Sequence, residues 1–372
     1  MTKTERAYID LLRHALWGKT VDSCSVSPRE LVCLANVQKT RPLILDILTR
    51  SGIAVDETLR GEIENFIVKS VSSHLLQDRL LSTLVLALRR SGINAVLLKG
   101  EGLANCYPSL YLRECGDIDL YVDESDYKKA CEIVREEMDG DNILEELESD
   151  KHFLLRKGEM IVEIHHHTLS LQSEDDNAFF ETMSKDGLSR NLVQLNFCGV
   201  PVYTPADSFN AFYIFLHAWE HFKGRGLGLR HLCDWAIFLH VRHEHLDLDV
   251  IKEALDKMDL WKAWQAFAGI AVDILGLPAD EMPFYTPKAA LRARRILNIM
   301  FREGDLGKFR HHMLHRRKDY FGRKIQSLWA LSIKCFHILF IFPDVAVSIF
   351  RTGVSGGINK LHISTNTEAN YG

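Results

Sequence analysis

The sequence predicts an α+β fold: a mixed β-sheet flanked by helices, with a helical region before it and another after it. Three observations carry that prediction. Residues 61–90 hold a 3.6-period apolar stripe, short apolar runs split by glycine turns fill residues 92–204, and helical periodicity returns from Thr204 onward.

Residues 1–91 read as a helical region. Ser27-Pro28-Arg29-Glu30 opens a helix, with Ser27 as N-cap and Pro28 at the first helical position. The stripe Ile63, Phe66, Ile67, Val71, Leu75, Leu81, Leu84, Leu88 breaks only at Gln77-Asp78, so one long amphipathic helix is expected. Residues 92–204 form the mixed part. Ile93–Leu98 reads as a short buried strand that turns at Lys99-Gly100-Glu101-Gly102, where Gly100 and Gly102 permit a close backbone approach. Leu103–Tyr107 begins a helix whose first amides would favour an anion. A strand around Asp117–Asp119, a helix over Ser125–Met138 and an acidic connector over Asp139–Ser149 follow. His152–Arg156 and Met160–His165 make a hairpin about Lys157-Gly158, and Asn191–Tyr203 makes another about Cys198-Gly199. Thr204-Pro205-Ala206-Asp207 reads as a capping box opening the C-terminal helical region, 205–350. Residues 351–372, rich in Gly, Ser and Asn, read as a flexible tail.

The chemistry concentrates at Asp117 and Asp119. Side chains two apart on a strand share one face, and two carboxylates on one face repel. A divalent cation offsets that cost, since hard carboxylate oxygens hold Mg²⁺ and Mg²⁺ carries nucleotide phosphates. Glu163, alone between apolar neighbours in Met160–His165, adds a third acid on an adjacent strand. Downstream, His217 and His221 fall one turn apart on one helix, as Arg230 and Asp234 do on the next. The basic, glycine-rich linker Lys223–Gly228 between them could approach phosphates. Taken alone, Arg230–Asp234 needs to be no more than an intrahelical pair of a few tenths of a kcal/mol, and His217 no more than a core histidine.

The order of a glycine turn, Asp-x-Asp between hydrophobics and a later lone acid resembles the nucleotidyltransferase superfamily typified by DNA polymerase β. Its finer spelling is Lys99-Gly100, Tyr111, Arg113, Gly116-Asp117-Ile118-Asp119-Leu120, Glu163-Ile164-His165, His217, His221, Arg230 and Asp234. That resembles a bacterial family of uncharacterised nucleotidyltransferases found among surface-polysaccharide genes, and covers about Ser27 to Leu239. Lys99-Gly100 stands where the wider superfamily has Gly-Ser or Gly-Gly. The resemblance implies a nucleotidyltransferase-type sheet and transfer of a nucleoside monophosphate from an NTP to a hydroxyl-bearing acceptor. Asp117, Asp119 and Glu163 would be catalytic and hold Mg²⁺ (or Mn²⁺). Lys99, Arg113, Gly100 and Gly102 would contact the triphosphate, and His165, His217, His221, Arg230 and Asp234 would complete the nucleotide site. Three alternatives stand beside this reading: an Asp-x-Asp glycosyltransferase, which has no need of Glu163; a toxin-like enzyme modifying tRNA, which wants a basic groove; and a non-catalytic scaffold.

Composition bounds these readings. A chain of 372 residues with 47% hydrophobic and 26% charged residues is ordinary for a globular protein. A formal charge of −5 argues against a general nucleic-acid binder. Eight cysteines without a Cys-x-x-Cys pair fit a reducing compartment, and Glu5 and Asp10 stand where a signal peptide would be apolar, so a cytoplasmic location is expected. His166 and His167 are read as a polar strand end. The basic run Lys308–Lys324 precedes an apolar run, Ile325–Phe350, interrupted by Lys334, Pro343 and Asp344, which is too broken to span a membrane. A terminal helix docked on the bundle is the preferred account of 308–350, and peripheral contact with anionic lipid is the other.

Overall fold

The computed structural model describes residues 1–21, 24–114, 116–138, 145–148, 152–224, 226–305 and 320–351. Helices α1 (Lys3–Leu16), α2 (Pro28–Gln38) and α3 (Arg41–Arg50) precede α4 (Glu57–Arg90), a helix of 34 residues. Asp56 caps α4 by accepting from the Leu59 amide at 2.8 Å. Ser27 stands at the N-cap of α2 without a side-chain capping bond, so Pro28 sets that start.

Among the described residues seven strands follow: β1 (Val96–Leu97), β2 (Ile118–Tyr121), β3 (Glu145–Glu148), β4 (His152–Lys157), β5 (Met160–His165), β6 (Val193–Phe197) and β7 (Val200–Thr204). They form one mixed sheet in the order β3-β4-β5-β2-β1-β7-β6. β2 runs parallel to β5 and β1 parallel to β7, while the remaining pairs are antiparallel. Both hairpins turn where expected, with Gly158, Cys198 and Gly199 in the left-handed region. The acidic connector is in part a strand: Glu145–Glu148 pairs with β4, which would otherwise leave an open edge.

The helices inside and after the sheet are α5 (Glu101–Ala104), α6 (Tyr127–Glu137), α7 (Glu174–Gly187), α8 (Asp207–Lys223), α9 (Leu229–Arg242), α10 (Leu248–Lys257), α11 (Trp261–Gly269), α12 (Ala290–Glu303) and α13 (Tyr320–Leu339). A further helix covers 343–351. Two local expectations are corrected. Thr204 does not cap α8: it pairs with Val193 at the end of β7, its hydroxyl donates to the Val193 carbonyl at 3.3 Å, and the N-cap is Ala206. The helix expected over Leu103–Tyr107 is instead the four-residue α5, followed by a 3₁₀ turn at Leu110–Leu112. The tail 352–372 and most of the basic run, 308–319, lie outside the described residues.

Two cores flank the sheet. Ile118, Leu120, Val162 and Ile164 point to one face and pack with α4 (Leu81, Leu84, Val85, Leu88) and α6 (Ala130, Val134). On the other side, helices from both ends of the chain share a single core: Tyr8 meets Phe301, and Gln38 bridges the Met300 carbonyl to the Leu229 amide. α4 joins both cores, with Leu59 and Ile63 in the second.

The middle of α4 inverts the stripe. Val71 and Leu75 face solvent, while His74 and Gln77 turn inward. They do so because the loop before β2 offers buried carbonyls that need donors. Gln77 donates to the Gly116 carbonyl, and His74 sits between the Glu101 carboxylate (2.8 Å) and the Arg113 carbonyl (3.1 Å). Both His74 partners are acceptors, so both ring nitrogens carry protons and the ring is an imidazolium. Burial opposes that charge, but Glu101 raises the pKa above the ordinary histidine value.

The Oδ1 of Asp78, the other residue of the break, is buried without a hydrogen-bond partner among the described residues, and burial followed by the Glu101 charge lifts the pKa to about 6. A raised carboxylate is bound more tightly to its proton in the folded state, so its ionisation costs stability as pH rises above about 4 and through 6. Asp78→Asn is therefore expected to stabilise the protein by about 1 kcal/mol at neutral pH, discounted for partial exposure. The gain should vanish at pH values where Asp78 is protonated in both states. Chemical denaturation at the two pH values checks this, and a gain independent of pH would refute it.

Candidate active site

The acids come together through register. β2 and β5 are parallel with Asp119 opposite Glu163 and Tyr121 opposite His165. Alternation sends Asp119, Glu163 and His165 to the face away from α4, and Asp117, two residues before Asp119, joins them. The potential ligand atoms of Asp119, Glu163 and His165 all lie within 4.8 Å of one another. His165 Nε2 donates to Asp119 at 3.0 Å and lies 3.2 Å from Glu163. Burial opposes the imidazolium, yet those two carboxylates lift its pKa to about 9.

The two aspartates differ in kind. Asp119 is buried, which by itself would raise its pKa, but Lys99 Nζ at 3.5 Å and His165 together hold it below the ordinary carboxylate range. Asp117 is half-buried, and the Asp119 charge followed by burial raises its pKa. The repulsion expected from the sequence thus falls on Asp117. Three carboxylates, one of them carrying this cost, form a set of hard oxygen donors suited to a divalent cation.

A cleft of about 220 Å³ opens above Asp117 and Asp119, while Glu163 and His165 stand beside Asp119 outside its lining. Its sheet side is formed by Lys99, Gly100, Asp117 and Asp119, and its helical side by α8 and α9. Gly100 has φ +56°, and a Cβ there would stand 2.8 Å from the Asp117 carbonyl oxygen. Glycine is required for the turn to approach β2. Gly102 does not reach the cleft: its amide closes on the Lys99 carbonyl, and it borders a separate cavity of about 80 Å³ beside Thr204. Its expected amide contact with phosphate is corrected on that ground.

On the helical side His217, His221, Arg230 and Asp234 all line the cleft. Lys99 also lies 3.4 Å from His217 Nε2, and burial and then the Lys99 charge depress the His217 pKa, leaving a neutral ring. Asp234 does not hold Arg230. It accepts two bonds from Arg113, at 3.0 and 3.1 Å, and a third from the Tyr107 hydroxyl at 2.8 Å. Burial would raise its pKa, but the charges of Arg113 and then Arg230, together with those bonds, keep its carboxyl below the ordinary range. A bidentate buried pair outweighs an i, i+4 contact worth tenths of a kcal/mol. Arg113 is thus committed to α9, although it borders the cleft. The Nε of Arg230 is buried and, among the described residues, has no partner. The linker Lys223–Gly228 is turned to other uses: Lys223 pairs with Glu220 at 2.7 Å, the Gly226 amide closes on the His221 carbonyl, and the Gly224 carbonyl accepts from Lys334.

Sequence reasoning missed several residues. His231 and Asp305 line the helical side, 3.4 Å apart, and Tyr213 lies beneath Lys99 with its ring centre 5.9 Å away. His74, Gln77 and Glu101 hold the loops that carry Lys99 and Arg113. Only the Gln77-Asp78 interruption of the α4 stripe signalled them.

An acidic cluster on adjacent parallel strands lies beside a cleft that also carries Lys99, Arg113 and Arg230, an arrangement compatible with nucleotidyl transfer. The chain belongs to the family described as uncharacterised nucleotidyltransferase, which it matches over residues 25–276. No curated protein gives a significant sequence match. Among solved structures, the antibiotic-resistance factor ANT(2'')-Ia is similar at 14% identity and a TM-score of 0.35, over 50% of this chain and 94% of that one. An antigenic nucleotidyltransferase-like protein from Paracoccidioides brasiliensis is similar at 14% identity and a TM-score of 0.32, over 50% and 90%. No helix among the described residues is long and apolar enough to cross a membrane.

Proposed function

We propose that the cleft transfers a nucleoside monophosphate from an NTP to a hydroxyl-bearing acceptor, in the cytoplasm. The observation that carries this reading is the in-register pairing of Asp119 with Glu163, with Asp117 beside them, under a cleft whose far wall bears Arg230. Asp117, Asp119 and Glu163 would hold Mg²⁺ or Mn²⁺, which when bound supplies charge stabilisation for an in-line displacement at phosphorus. The acceptor oxygen bonds to the α-phosphorus, the bond from that phosphorus to the α,β-bridging oxygen breaks, and pyrophosphate leaves. Glu163 takes the acceptor's proton. His165, donating to Asp119, fixes the orientation of the acidic cluster. Lys99 neutralises Asp119 and extends positive charge toward His217.

The triphosphate contact falls to Arg230. Lys99 and Arg113 each face a carboxylate, at 3.5 and 3.0 Å. Arg230 has an unpartnered donor among the described residues, and guanidinium geometry matches phosphate. Arg230→Gln is expected to weaken NTP binding by about 1.5–3 kcal/mol, the value of a hydrogen bond to a charged group. Nucleoside monophosphate binding should change little. Calorimetry with both ligands checks this, and equal losses would remove Arg230 from the role.

The reaction itself is tested by incubating the protein with each α-labelled NTP, Mg²⁺ and a lysate, then identifying what carries label. Surface-polysaccharide intermediates and tRNA are the acceptors to resolve first. Transfer of a sugar from a nucleotide-sugar, with no label passing from any NTP, would replace this reading by the glycosyltransferase one.

A further inference from the structure

We propose that the outward face of α13, with the helix over 343–351, docks on a membrane surface rich in anionic lipid. α13 buries Cys335 and Ile338 in the core but leaves a second apolar side outward, where a helix packed on a globular body usually presents polar residues. Lys334 is 2% exposed: its amine donates to the Gly224 carbonyl at 2.7 Å and faces Glu303 at 3.8 Å. Trp329, Ile333, Phe336 and Phe340, at i, i+4, i+7 and i+11, are 63%, 42%, 59% and 59% exposed. Val347 and Phe350 of the next helix are also exposed. A ridge of this length, aromatic and unbroken by polar side chains at its own spacing, marks an interaction surface.

Charge selects the occupant. α12, α13 and the helix over 343–351 contain eight Lys and Arg against two acids, in a chain whose formal charge is −5. Glu303 and Lys334 are buried against each other, which leaves seven basic residues and one acid. α13 itself has no Asp or Glu. Arg295 and Arg302 flank a cavity of about 240 Å³ bordered by His337 and Phe340, directly beside the ridge. Neither guanidinium faces a carboxylate among the described residues: Arg295 donates to the Phe340 carbonyl, and Arg302 lies 3.5 Å from His337. Apolar side chains flanked by exposed arginines that no carboxylate neutralises among the described residues match a bilayer interface with anionic headgroups. A nucleic acid would use the arginines but leave the Ile333 and Phe336 side of the ridge in water.

The test is sedimentation of the full chain with phosphatidylcholine vesicles, with and without phosphatidylglycerol. At least about tenfold stronger binding to the anionic vesicles is expected. Phe336→Ser with Phe340→Ser should abolish it. Arg295→Gln with Arg302→Gln should remove the preference for anionic lipid and its salt sensitivity. Both pairs should keep the unmodified melting temperature, since the replaced side chains are exposed. Brominated acyl chains should also quench part of the tryptophan fluorescence, and Trp329→Phe should remove that part. Absence of vesicle binding, equal binding to both vesicle types, or quenching unchanged by Trp329→Phe would overturn the proposal. So would loss of RNA binding or of a dimer, in place of lipid binding, on the Phe336/Phe340 substitution.

Discussion

Arg113→Ala is expected to lower the unfolding free energy by about 3–5 kcal/mol, the loss found when one partner of a buried ion pair is removed. The substitution leaves Asp234 charged, buried and still bonded to Tyr107, with its two strongest bonds gone. It also releases the loop after the 3₁₀ turn from α9. The pH dependence follows from the depressed carboxyl of Asp234. A depressed folded-state pKa contributes stability that is present above the unfolded value and lost as pH falls through the folded one. Wild-type protein should therefore lose this contribution only well into acid, and Arg113→Ala should show a flatter acid limb. Denaturant titrations across pH measure both. A variant with wild-type stability and lost NTP binding would return Arg113 to a phosphate contact.

The second large effect separates the two aspartates. Asp117→Asn and Asp119→Asn should each reduce transfer by at least about 10²–10³-fold, the scale of losing a charge-stabilising group at a reacting centre. In metal-free buffer they should diverge. Asp117→Asn removes a repelled charge, so its melting temperature should hold or rise. Asp119→Asn strips Lys99 and His165 of their partner and should cost about 2–3 kcal/mol, below the full buried-pair penalty because the Lys99 side chain is 21% exposed. Nothing in the sequence distinguishes the two aspartates, because nothing in it places Lys99 beside Asp119. Scanning fluorimetry in chelator resolves the pair. Equal stabilisation by both would mean that Lys99 does not compensate Asp119, and retained transfer in either would make the acids structural.

The sheet and its acids were legible because they follow local rules. Two-residue alternation around Asp117–Asp119 and Met160–His165 fixes which side chains share a face, and the glycine turns at Gly158 and Gly199 punctuate the hairpins. The helical side was legible only as spacing. His217, His221, Arg230 and Asp234 do line one cleft, but which cation pairs with Asp234 is decided by tertiary approach across more than a hundred residues of chain. One-turn spacing suggested Arg230, and the cross-chain bidentate geometry belongs to Arg113. His231 and Asp305 carried no signal, because one sits in an apolar helical run and the other follows Gly304 in a loop. In α4 the apolar count outvoted two polar residues, yet His74 and Gln77 are the ones the interior needed. The Glu145–Glu148 strand was hidden by its acids, which on pattern read as connector.

α4 also bears on how the molecule comes apart. Leu59 and Ile63 belong to the core shared by the terminal helices, and Leu81, Leu84 and Leu88 to the core beneath the sheet. A rod of 34 residues, about 50 Å long, is thus anchored at each end in a different interior, and between them grips the loops that carry Glu101, Arg113 and Gly116. Neither interior can melt without loosening the other's wall. The two therefore share one cooperative transition, and the acids at Asp117 and Asp119 keep their spacing for as long as the whole protein stays folded.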